Sequence, residues 1–109
     1  MRVGSPFIII LCLVSSLGQA SWSAEPPSPR QAELRYLLLQ DCGSCHGMTL
    51  KGGLGPALTT DALAGKPPQL LLNTILDGRP GTAMPPWRGL LTADDAVWLV
   101  DELLRGVKQ

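Results

Sequence analysis

The chain has 109 residues, nine basic and nine acidic, so its formal net charge is zero. Without a basic excess, a nucleic-acid partner has no electrostatic footprint to bind. Phe and Tyr occur once each, which leaves no aromatic-rich core, and a domain this small needs a staple such as disulfides, a metal or a large cofactor.

The first segment combines the basic Arg2, an apolar stretch from Phe7 to Leu17 and the small-residue site Gly18-Gln19-Ala20. That order predicts a secretory signal peptide over 1–20, cleaved after Ala20 rather than Ala24, where Trp22 would occupy a position that wants a small residue. The apolar stretch is shorter than the about 20 residues needed to cross a bilayer. No second one follows, so the mature chain is expected to have no membrane span and to be periplasmic. Cys12 falls inside this segment and Leu11 precedes it, an order that does not suit a lipid-modified cysteine.

Residues 21–28 read as a proline-rich flexible lead into a domain over 29–106. Ser28 is expected to cap the first helix, with Pro29 at its first position and Gln31 closing a capping box. The helix then runs towards Asp41 with Leu34, Leu37 and Leu38 on one face. Cys42 to His46 lie at or just past its end. Residues 47–65 read as loop, interrupted by Gly47, Gly52, Gly53 and Gly55. A second helix opens at Lys66-Pro67-Pro68, carries Leu70, Leu71, Thr74 and Ile75, and ends near Gly78. The segment from Arg79 to Trp87 cannot be helical at its prolines. Thr92 and Asp95 form a capping box for the last helix, whose apolar face is Ala96, Leu99, Val100 and Leu103, with Gly106 closing it. Trp98 is expected to pack against helix one near Tyr36. No segment alternates like a strand, so the fold class is all-α, with three to four helices.

The two cysteines left after processing stand in Cys42-Gly43-Ser44-Cys45-His46, the C-x-x-C-H pattern of c-type haem attachment. Two thiols on one helical turn can add to the two vinyl groups of one porphyrin, and the adjacent His46 offers its imidazole to the iron. A zinc site would need a fourth ligand. A thioredoxin-like pair would need a βαβ context, and a plain disulfide would leave His46 unexplained. The expected cofactor is therefore one covalently attached haem c, held by Cys42 and Cys45 with His46 on the iron.

His46 is the only histidine, so a second protein ligand must be methionine. Met48 is too near His46 in sequence to reach the opposite face, and core packing is its expected role. Met84 lies beyond an intervening helix in a proline-braced loop, long enough to wrap around the haem edge. Met84 coordination makes the iron six-coordinate, which favours electron transfer over substrate chemistry. Gly55-Pro56 is placed to offer a carbonyl to the other His46 nitrogen, with Leu54 and Leu58 walling the haem. Arg79, Arg88 and Trp87 flank the Met84 loop and are candidates to meet the propionates.

The stretches CGSCHGMTLKGGLGPAL and ILDGRPGTAMPPWRGLL, with an aromatic on the final helix, resemble a class I cytochrome c over roughly residues 29 to 106. They resemble more narrowly the NirC-type periplasmic cytochromes (cytochrome c-55X) that accompany the haem c/haem d nitrite reductase. The resemblance implies a small class I fold wrapped around one haem. It also implies single-electron traffic in denitrification, with that nitrite reductase or a haem d maturation protein as redox partner. The chain is then an electron-transfer protein rather than an enzyme, and nothing in it points to an obligate oligomer. The competing readings are a haem enzyme or gas-binding sensor with a labile or absent Met84 ligand, and a haem-free thiol protein.

Overall fold

A computed structural model describes residues 25–109, so the signal segment lies outside the described residues. Four helical segments make the fold, and no strand occurs among the described residues. The first is a continuous rod: α1 (Ser28–Leu37), a π-helical turn (Leu38–Cys42) and α2 (Gly43–His46). It is followed by α3 (Thr60–Leu63), α4 (Pro68–Asp77) and α5 (Ala93–Arg105).

The rod departs from the sequence reading at both ends. Pro27, not Ser28, is the N-cap, and no side chain caps the helix. Gln31 instead turns back on the lead, its Nε2 donating to the Pro26 carbonyl at 2.8 Å. That bond ties Glu25–Pro27 to the rod and leaves Pro26 buried, where a free lead was expected. At the other end helical geometry continues through the cysteine motif to His46 and stops at Gly47, whose φ of 91° suits a residue without a Cβ. Four residues per step keeps Leu38, Cys42 and His46 near one side, and the wider π turn offsets the drift that 3.6 residues per turn would build up.

α5 is the hub, packing against α1, α3 and α4. Its predicted face, Ala96, Leu99, Val100 and Leu103, is buried. The predicted Thr92–Asp95 capping box is present, each side chain taking the other's backbone amide at 3.1 Å. α4 keeps its expected bounds, with Gly78 as C-cap. α3 falls in the stretch read as loop; it is one turn capped by the Thr59 hydroxyl, too short to show a period. The core is almost wholly aliphatic: Leu34, Leu38, Leu50, Leu63, Leu91, Leu99 and Leu103 around Trp98.

Trp98 does face helix one, but Tyr36 is 70% exposed and Arg35 takes the contact. The guanidinium lies 5.2 Å from the indole centroid while its Nε reaches Glu102. A second arginine locks the same crossing. Arg30 donates from Nε and Nη2 to the two oxygens of buried Asp95, at 3.3 and 2.8 Å, and Nη2 also reaches the Leu90 carbonyl. Chiefly through those guanidinium bonds, the Asp95 carboxyl is held below the usual carboxylate range.

Candidate functional site

Between the rod's end, α4 and the loop after it lies a cavity of about 600 Å3. Core leucines Leu38, Leu63, Leu99 and Leu103 form part of its wall, with Leu58, Leu70, Leu71 and Ile75 continuing the apolar lining. Cys42, Cys45, His46, Pro56, Arg79, Met84 and Trp87 all border it, so residues from three distant stretches meet there.

Both thiols are free; Cys45 is exposed and Cys42 half-buried. Burial first, and the Asp41 charge next, push the Cys42 thiol up to about 11. It is therefore a neutral thiol at neutral pH. His46 Nδ1 lies 2.7 Å from the Pro56 carbonyl oxygen. A carbonyl only accepts, so Nδ1 carries a proton, and in the neutral ring Nε2 is the nitrogen left to donate to a metal. The loop that supplies this carbonyl is fastened back onto the rod. Gly55 N–H donates to the Cys45 carbonyl at 2.7 Å and Gly52 N–H to that of His46 at 2.8 Å. Gly55 lies close against the imidazole, where a Cβ would stand 2.8 Å from Cε1 and Nδ1.

Met84 sits half-buried in the second loop. Arg79-Pro80-Gly81-Thr82 forms a turn closed by Thr82 N–H to the Arg79 carbonyl at 3.0 Å, with Gly81 at φ 77°. Proline second and a positive-φ glycine third are what a type II turn requires. Arg79 N–H donates to the Met84 carbonyl at 3.2 Å. Trp87 and Arg88 N–H groups donate to the carbonyls of Ile75 and Leu76, joining the loop's far side to the end of α4. Gly78 makes that approach possible: its φ is 67°, and a Cβ there would meet Met84 O, Pro85 C and Pro86 N at 2.7 Å.

Of the flanking candidates, Arg79 borders the cavity and has no ion-pair partner among the described residues, and half-buried Trp87 packs against the core. Arg88 does not border the cavity; it pairs with Asp77 at the base of the loop. Leu58 and the 94% exposed Leu54 both border it. Met48 is not a core residue. It is 56% exposed, its sulfur lies beside Gly43, and it does not border the cavity. Sequence reasoning passed over Asp41, Lys66 and Thr82, which also line the cavity. The Pro80-Gly81 turn was the available signal for Thr82; nothing local marked the other two.

Among the described residues no group of three or more His, Cys, Asp or Glu side chains could hold a bare metal ion. The donor set is instead that of a tethered porphyrin: an apolar cavity opening on the core, two free thiols at its edge, an imidazole with one nitrogen committed, and a thioether. These residues fit a haem.

The model of the family described as cytochrome C oxidase, cbb3-type, subunit III matches residues 29–101. Cytochrome c55X of Pseudomonas aeruginosa is 67% identical over 81 residues, covering 74% of this chain and 68% of the relative. A solved c-type cytochrome NirC superimposes with a TM-score of 0.72 at 68% identity, over 73% of this chain and 94% of that one. A solved dihydro-heme d1 dehydrogenase NirN in complex with DHE is similar at 35% identity and a TM-score of 0.62, over 68% of this chain and 16% of that much longer one. Its motif, its helical fold and these likenesses together place the chain in the cytochrome c55X (NirC) family, small c-type cytochromes of the denitrification context that carry covalently attached haem c.

Proposed function

We propose that this chain is a periplasmic one-electron carrier whose single haem is bound by Cys42 and Cys45 and coordinated by His46 and Met84. The observation that carries the reading is that two potential iron donors on separate chain segments, His46 and Met84, border one apolar cavity. The haem, when bound, supplies a one-electron ferric–ferrous couple. Cys42 and Cys45 tether it. His46 spends Nδ1–H on the Pro56 carbonyl, which fixes the ring and leaves Nε2 for the iron. Met84 supplies a soft thioether, which favours the reduced state. Because both donors sit on hydrogen-bonded backbone, little moves between oxidation states. Arg79 and Trp87, which border the cavity, would be the residues to meet the propionates.

The signal-like order of residues 1–20 supports a periplasmic site for this chemistry, and the likeness to c-type cytochromes supports redox proteins as partners. The NirC-type relatives support a place in the haem c/haem d nitrite reductase system, either as donor to the reductase or as electron carrier during haem d maturation. A strain lacking the gene separates the two. Nitrite reductase purified with incomplete haem d assigns the chain to maturation; a complete enzyme with lower nitrite flux assigns it to electron delivery. Unchanged haem d and flux would overturn this placement. The competing reading, a haem enzyme or gas-binding sensor with a labile Met84, predicts tight carbon monoxide binding to the ferrous protein at neutral pH. The carrier reading predicts weak binding.

A further inference from the structure

The two sides of Met84 are held differently. On its C-terminal side, Pro85 and Pro86 remove backbone freedom. The Trp87 and Arg88 amides then lock the chain onto the Ile75 and Leu76 carbonyls. On its N-terminal side stand Gly81, in the left-handed region, and Ala83, neither of which restrains the chain. What bridges this side is Thr82. Its hydroxyl donates to the Arg79 carbonyl at 2.6 Å and accepts from the Met84 N–H at 3.3 Å. Arg79 N–H donates to the Met84 carbonyl, so the methionine's amide and carbonyl are both tied to one turn. Among the described residues no other side chain between Gly78 and Trp87 makes a hydrogen bond to this loop.

We propose that Thr82 is the positioning residue for Met84: its hydroxyl closes the N-terminal side of the loop and opposes displacement of the thioether by outside ligands. The inference rests on the reading of Met84 as the second iron ligand. Without the hydroxyl, the Met84 amide loses its acceptor and the Arg79 carbonyl keeps only the Thr82 amide. The methionine then leaves the cavity wall more often, although the rest of the fold is untouched.

The test uses the haem-loaded protein and three variants. Thr82→Val keeps the side-chain shape without the hydroxyl, Thr82→Ser keeps the hydroxyl, and Met84→Ala removes the ligand. Carbon monoxide binding to the ferrous form and the sulfur-to-iron absorption band of the ferric form are read beside the unfolding temperature. Loss of one hydrogen bond predicts about fivefold stronger carbon monoxide binding in Thr82→Val. Thr82→Ser should stay close to the parent. Thr82→Val indistinguishable from the parent, with Met84→Ala strongly altered, overturns the role of Thr82 and leaves the ligand reading standing. Met84→Ala still low-spin overturns the ligand reading and this inference with it. A lower unfolding temperature in Thr82→Val, with neither ligand readout moved, makes Thr82 structural only and overturns the proposal.

Discussion

The cavity has two walls that hold their donors by different means. On the rod side, His46 is fixed at its ring: Nδ1 is bonded to Pro56, Gly55 lies close against the imidazole, and two further amides fasten that loop to the helix end. On the loop side, Met84 is held through its backbone amide and carbonyl, both tied to the turn before it. A ring clamped at an atom cannot swing without breaking its hydrogen bond to the Pro56 carbonyl, whereas a thioether on a pinned backbone can leave by rotating its own torsions. With Met84 as the proposed second ligand, the methionine side is where ligand exchange would be controlled.

The comparison can be broken most severely on the rod side. Replacing Cys42 or Cys45 with Ala should abolish stable covalent haem incorporation and leave a largely unfolded chain, because the cavity wall is made of core leucines. Intact mass and circular dichroism check both outcomes. On the loop side, Met84→Ala should keep the haem attached but turn it high-spin and open to carbon monoxide, seen in the absorption spectrum. Gly55→Ala sharpens the contrast, since the new Cβ lies 2.8 Å from the His46 ring and has no positive φ to blame. Overpacking of this kind costs about 1–3 kcal/mol. Displacing the Pro56 carbonyl should also raise the reduction potential, because His46 becomes a weaker donor. Thermal unfolding and a redox titration test these together.

The smallest effect lies away from both walls. Asp95→Asn removes the charge that holds Arg30 across the α1–α5 crossing and should cost about 2 kcal/mol in thermal unfolding at pH 7. The Asp95 carboxyl is held below its ordinary value, chiefly by Arg30. Its contribution is thus present above the unfolded-state value of about 4 and lost as pH falls through the lower folded one. The parent should lose its advantage over Asp95→Asn in that acid range, and a gap that persists there would show that packing, not charge, carries the difference.

Contiguous chemistry was legible in the chain. Five adjacent residues announce haem attachment because two thiols and an imidazole need one helical stretch, and α5 announces itself by a capping box and a repeating apolar face. Gly55-Pro56 and Met84 could also be picked out, one by its missing amide proton and one by elimination. What could not be read depends on separations no local pattern encodes. The rod runs on through His46 by way of a π turn that no local pattern announces, and α3 is too short to show a period. Arg88 looked like Arg79 in sequence, yet the loop's return to α4 brings it to Asp77 and leaves Arg79 at the cavity. Met48 stays outside because Gly47 turns the chain away from the rod. The sequence by itself determined the cofactor chemistry and the three longer helices, since both follow from neighbours along the chain. Only the tertiary structure decided which arginine and which hydroxyl border the cavity, because that is settled by how Gly55 and Gly78 let two backbones approach.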